Sequence, residues 1–151
     1  ANSFNMTSAL TTIDNLPSSI EYIGEGCFYN SAINIDVLPN SLQYLGGQAF
    51  QFCRSLAISN IPDGVTYILT QTFYGCENIM ISNFGHEMAN NEIAAVENNL
   101  SYIAEGAFHS AGKNVSAVTI HNSVEIVLLN LKKKHLITLV VMASLFVIIL
   151  D

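Results

Sequence analysis

The pattern of apolar positions in this 151-residue chain repeats. In four places an aliphatic residue is followed two later by Tyr, three later by Ile or Leu, and eight later by Phe. The sets are Ile20, Tyr22, Ile23, Phe28; Leu42, Tyr44, Leu45, Phe50; Val65, Tyr67, Ile68, Phe73; and Leu100, Tyr102, Ile103, Phe108. Self-similarity at a fixed period signals a repeat architecture. Between the sets, short segments of strand character end at Leu16-Pro17, Leu38-Pro39 and Ile61-Pro62, and proline lacks the N–H that a continuing strand needs. Turn-forming pairs follow each proline: Ser18-Ser19, Asn40-Ser41 and Asp63-Gly64.

The period of 22–23 residues is too short for two helices and falls in the leucine-rich-repeat range. A unit with two or three apolar stripes cannot bury them alone. Stacking units at about 4.8 Å, the strand spacing, buries each against the next. The predicted fold is therefore a solenoid of about five coils, with short parallel strands and few or short helices. The series Phe4, Phe28, Phe50, Phe73, Phe108 forms an interior aromatic ladder in this reading, and residues 1–10 are the tail of one further coil. The strands are expected at 34–38, 57–61, 80–84 and 116–120.

Two departures break the regularity. Residues 85–96 are an insertion, expected as a surface loop whose second half forms one or two helical turns. A fifth unit begins at Val115 but has His121 in the proline slot and Ile126 in the tyrosine slot, and the pattern stops after Val127. The solenoid is accordingly placed at 1–131, with a separate basic flank and apolar segment at 132–151.

Residues 136–150 are apolar apart from Thr138 and Ser144. As a helix they span about 22 Å, short of a hydrocarbon core of about 30 Å. Lys132–Lys134 in front are a candidate interfacial anchor, so the expectation is a membrane-inserted helix. The competing reading is a helix that caps the last coil.

Half of the residues are hydrophobic and 11% are charged, which argues against disorder. Residues 1–115 hold ten acidic side chains against Arg54 and Lys113, so nucleic acid is not an expected partner. The four histidines are scattered, and His86-Glu87 lacks the second histidine of a zinc-protease helix. No metal, cofactor or catalytic residue is expected, and the chain is read as a non-enzyme. Cys53 and Cys76 stand three residues after Phe50 and Phe73, in a slot shared with Thr7, Ser31 and Ala111. That slot wants a small buried side chain, so packed thiols are expected, with a disulfide between neighbouring coils as the alternative. No secretory signal is visible at Ala1, which reads as the start of a mature form or a fragment.

The unit from Leu56 to Cys76 closely resembles the BspA-type leucine-rich repeat, through Leu56, Ile61-Pro62, Val65, Ile68, Phe73 and Cys76. Leu38-Pro39, Leu42, Leu45-Gly46, Ala49-Phe50 and Cys53 match it one unit earlier. Asp36 and Ser59 stand where the family prefers Ile. The resemblance covers 1–127 and implies a curved solenoid with a parallel sheet on its concave side. It also implies a surface-exposed protein of the kind that attaches to host proteins or cells, without catalytic residues.

The expected function is protein binding or adhesion at a cell surface, with a host or matrix protein as ligand and the membrane as second partner through 136–150. The candidate binding surface is Asn34, Asp36, Ser59, Asn60, Ser82, Asn83 and Thr119 on the strands, with the column Tyr22, Tyr44, Tyr67 and Tyr102. The column reads first as sheet-stabilising stacking, with the binding face as the alternative. Asn5, Asn99 and Asn114 are glycosylation acceptors on a eukaryotic secretory route. Alternatives are an intracellular, tail-anchored scaffold, the topology that the lysines favour, and a truncated paralogue with no binding function of its own.

Overall fold

The computed structural model describes residues 13, 15–89, 92–96, 98–115, 117–121, 123–126, 129–131, 136–139 and 148–150. Twelve short strands and no helix occur among them: β1 (Tyr22–Ile23), β2 (Tyr44–Leu45), β3 (Tyr67–Ile68), β4 (Asn83–Phe84), β5 (His86–Ala89), β6 (Glu92–Val96), β7 (Tyr102–Ile103), β8 (Ala117–Ile120), β9 (Glu125–Ile126), β10 (Leu129–Leu131), β11 (Leu136–Leu139) and β12 (Ile148–Leu150).

Three stretches of the coils bond to neighbouring coils, the first of them broken between β2 and β3. The first is the Tyr-Ile strand. Parallel pairing sets Tyr22 opposite Tyr44, Tyr67 opposite Tyr102, and Tyr102 opposite Glu125. The strands are two residues long because a turn precedes and follows each. The preceding turn closes from the proline: Ile20, Leu42 and Val65 donate their N–H to the carbonyls of Pro17, Pro39 and Pro62 at 3.1, 3.0 and 2.9 Å. The expected turn pairs fill its two central positions.

The second stretch carries the phenylalanines. Phe28, Phe50 and Phe73 donate to Ala49, Thr72 and Ala107 of the following coil at 2.8, 3.0 and 2.8 Å. The residues before them, such as Cys27 and Ala49, bond back within their own coil instead. This alternation needs left-handed backbone two residues before each Phe, at Gly26, Gln48, Gln71 and Gly106, and two after, at Asn30, Phe52, Gly75 and Ser110. The third stretch joins Ala57 to Ile35 and Met80 to Ile58 by single N–H···O bonds, and widens into the parallel sheet β4–β8–β11.

Between these stretches lies the core. Phe28, Phe50, Phe73 and Phe108 are all buried and stack at centroid distances of 5.3, 5.7 and 5.2 Å. Ile23, Leu45, Ile68 and Ile103 on the strands and Ile35, Ile58 and Ile81 on the third stretch point in as well. Leu42, Leu45, Phe50, Cys53 and Leu56 are interior, as the spacing required.

Three expectations change. The strands expected at 34–38 and 57–61 are absent, and those coils share one backbone bond there, whereas β4 and β8 do fall within 80–84 and 116–120. The tyrosine segments pair as strands in their place. Asp36 and Ser59 are exposed, while Ile35 and Ile58, one residue earlier, are buried. The insertion is a β-hairpin, β5 antiparallel to β6, with no helical turn described. In 136–150 the described residues are strand, with β11 on β8 and β12 on β10. Residues 136–141 and 147–149 are rich in Ile, Val and Thr, which favour a pleated surface. A short apolar run does not by itself separate strand from helix. Phe4 and Thr7 lie outside the described residues.

Candidate functional site

The same register that drives Phe inward leaves Tyr outside. Along a strand, neighbouring side chains face opposite ways, so Ile23, Leu45 and Ile68 are buried while Tyr22, Tyr44 and Tyr67 are 65%, 38% and 58% exposed. Tyr102 is half-buried. The column forms two pairs. The Tyr22 and Tyr44 rings stack 4.5 Å apart and 4° from parallel, and Tyr67 and Tyr102 lie 6.2 Å apart, tilted by 52°. Loss of water around the Tyr44 phenol, then Tyr22 beside it, then the Glu25 carboxylate push its pKa up. Its hydroxyl therefore stays protonated, able to donate, throughout the neutral range.

The polar strand residues form a second group on the third stretch of the coils. Asn34, Asp36, Ser59 and Asn60 are exposed, and Ser82 and Asn83 are half-buried. Asn83 pairs through its backbone with Thr119. The structure thus brings the candidates together as two faces rather than one. At the edge of the second face stands the hairpin. Its base is held by Asn98, almost fully buried, whose Oδ1 accepts from Gly85 N at 2.8 Å and from Leu100 N at 3.3 Å. Its Nδ2 donates to the Asn83 carbonyl at 3.2 Å. Gly85 has φ of 80°, and a side chain there would collide with Val124 and Ser123. Asn98 is a positioning residue that the repeat pattern did not reveal.

A second outer aromatic column was also not expected. Tyr29 meets Phe52 edge to face at 5.9 Å, Phe52 meets Tyr74 at 5.2 Å, and Tyr74 stacks on His109 at 4.7 Å. Its signal in the sequence is the residue after Phe: Tyr29, Tyr74 and His109, interrupted by Gln51. Phe52 sits in a slot that otherwise holds Asn30, Gly75 and Ser110, with φ of 61°. For a bulky side chain that backbone is strained. Its ring lies over Gly75, where a side chain would strike it. The Arg54 guanidinium stands 5.6 Å from the ring centre. Phe52 and Arg54 help line a shallow cavity of about 150 Å³ with Asn30 and Ser31.

Charge is segregated. Among the described residues both basic side chains, Arg54 and Lys113, contact Glu77 at 3.4 Å. These pairs are exposed and add little stability. Cys53 and Cys76 are thiols, not a disulfide. Each donates to a carbonyl of the preceding coil, Cys53 to Phe28 at 2.8 Å and Cys76 to Phe50 at 2.9 Å. Burial pushes both thiols up, Cys76 the more strongly, which makes them poor nucleophiles. No group of three His, Cys, Asp or Glu residues that could hold a metal ion occurs among the described residues. Asn99 and Asn114 are exposed, and Asn99 Nδ2 donates to the Asp63 carbonyl at 3.3 Å. Asn5 lies outside the described residues. Among the described residues no helix is long and apolar enough to cross a membrane.

Short parallel strands stacked in register over a ladder of equivalent buried residues define a leucine-rich-repeat solenoid. The chain belongs to the family of the BspA type leucine rich repeat region, whose model matches six copies across residues 1–131. Repeats of this family are typically protein-interaction modules, and they typically occur in surface proteins. No curated protein and no solved structure matches the chain.

Proposed function

We propose that the repeat body is the non-enzymatic, adhesive module of a cell-surface protein and binds a protein ligand, of host or matrix origin, through its outward strand residues. One observation carries the reading: large tyrosines stand exposed on three successive coils, Tyr22 and Tyr44 on directly paired strands. Tyrosine is enriched in recognition surfaces, since it offers apolar area and a hydroxyl at low entropic cost. A ladder whose backbone is bonded coil to coil holds such side chains in place before binding. The polar row from Asn34 to Asn83 supplies uncharged hydrogen-bonding groups on the neighbouring stretch.

The membrane anchor expected at 136–150 is not part of this proposal, because the described residues there run as strands. External protease added to intact cells that express the chain tests the location. The expected result is cleavage of the repeat body; full protection of residues 1–131 sinks the surface reading. Adhesion of those cells to plates coated with matrix proteins tests the activity.

A further inference from the structure

The exposed tyrosine face is distinguished by its charge. Glu21 and Glu25 flank Tyr22, and Glu105 follows Tyr102 by the same three residues that separate Glu25 from Tyr22. All three glutamates are exposed. Glu25 stands close enough to Tyr44 for its field to reach the phenol. The backbone register makes Glu125 the next rung after Tyr102. The described cations are elsewhere, both at Glu77, beyond the phenylalanine stretch. A sheet face with carboxylates, tyrosine hydroxyls and no described cation repels anionic ligands and is complementary to ammonium and guanidinium groups. The chain as a whole, with a formal net charge of −7, adds long-range attraction of the same sign.

We infer that the tyrosine face takes a cationic segment, a Lys- or Arg-rich stretch of the partner protein laid along the column. The apolar bodies of Tyr22, Tyr44 and Tyr67 pack against the aliphatic stems of such side chains. The glutamates beside them receive the charged heads. Tyrosine hydroxyls recur from coil to coil, and the carboxylates stand beside the first and last tyrosines of the column. The inference rests on the proposed binding role and adds to it the chemistry of the partner.

The test uses the full chain and fluorescein-labelled octalysine, with octaglutamate and heparin as anionic controls. The expected result is saturable octalysine binding that weakens about tenfold as salt rises from about 20 to about 150 mM, with no binding of either anion. E21Q/E25Q/E105Q weakens it about tenfold or more, whereas D36N/E77Q/E87Q, which removes as many charges elsewhere in the sequence, weakens it less than about threefold. Circular dichroism confirms that both variants keep the parental fold. Equal weakening by the two variants overturns the inference, because it assigns the effect to net charge alone; tighter binding of heparin overturns it too. The adhesion assay separates the two levels. Adhesion that is lost in Y22S/Y44S/Y67S but unchanged in E21Q/E25Q/E105Q leaves the binding role standing and removes the cationic partner. Adhesion unchanged in both removes the tyrosine face from the binding role itself.

Discussion

The phenylalanine ladder and the tyrosine column are built by the same repeat and differ in what they face. Phe28, Phe50, Phe73 and Phe108 lie between coils with no more than 3% of their surface exposed, and their rings stack along the solenoid. Tyr22, Tyr44 and Tyr67 repeat with the same spacing on strands whose next residue is buried. One register thus makes two aromatic series, one sealed from water and one open to it. A sealed ring contributes its full transfer free energy, and its removal leaves a cavity. An open ring contributes little to the fold and is available to a ligand. Recognition on this scaffold can therefore change without altering the stack, a separation that a solenoid permits because each coil contacts only its neighbours.

Substitutions that interfere with one series and not the other break or sharpen this contrast. The largest effect is expected in the ladder. Phe50→Ala removes a fully buried ring with a phenylalanine on either side, and costs about 3–5 kcal/mol in urea unfolding. A loss below about 1 kcal/mol would contradict the stacked core. Asn98→Ala comes next, at about 1–3 kcal/mol, because it leaves Gly85 and Leu100 with unbonded buried donors. Amide exchange should show the loosening concentrated in β5 and β6; uniform loosening would argue against a local clamp.

Phe52→Asn makes the sharpest comparison with Phe50, two residues away. Relief of the left-handed backbone offsets the lost edge contacts with Tyr29 and Tyr74, so the change is expected within about 1 kcal/mol of neutral. A cost matching that of Phe50→Ala would place Phe52 in the core. The smallest effect concerns pH. Burial raises the Cys53 and Cys76 thiols, so the folded chain retains protons that the unfolded chain releases above about pH 8.5. Stability from this source is complete below that pH and falls as pH rises further. The double variant C53A/C76A should flatten the alkaline limb of the stability curve. An unchanged limb would show that the thiols do not set it.

The ladder and the column were legible in the sequence because each coil writes Tyr and Phe six residues apart, and burial follows from strand alternation. The third stretch was expected as strand at 34–38 and 57–61, where the coils share only single backbone bonds. Asp36 and Ser59 sit beside Ile35 and Ile58, and a two-residue polar-apolar step does not show which member faces in until the neighbouring coil fixes it. The hairpin was hidden for another reason. Glu92, Ala94 and Ala95 favour a helix by intrinsic preference, and cross-strand pairing with His86–Ala89 overrides that preference. Its clearest sequence signal is Asn90-Asn91, a pair suited to tight hairpin turns. The apolar tail carried no periodicity to separate strand from helix, so its register with β8 and β10 depended on coils already in place. The Phe52 column escaped notice because Gln51 breaks the aromatic series.

The division between a stabilising interior and a recognising exterior is tested most directly by Y22S/Y44S/Y67S. Its urea midpoint and its adhesion to matrix-coated plates are measured on the same preparation. The account predicts a stability loss under about 2 kcal/mol, from stacked rings that remain mostly in water, together with adhesion weakened about tenfold or more. Unchanged adhesion, or a stability loss as large as that of Phe50→Ala, would contradict it.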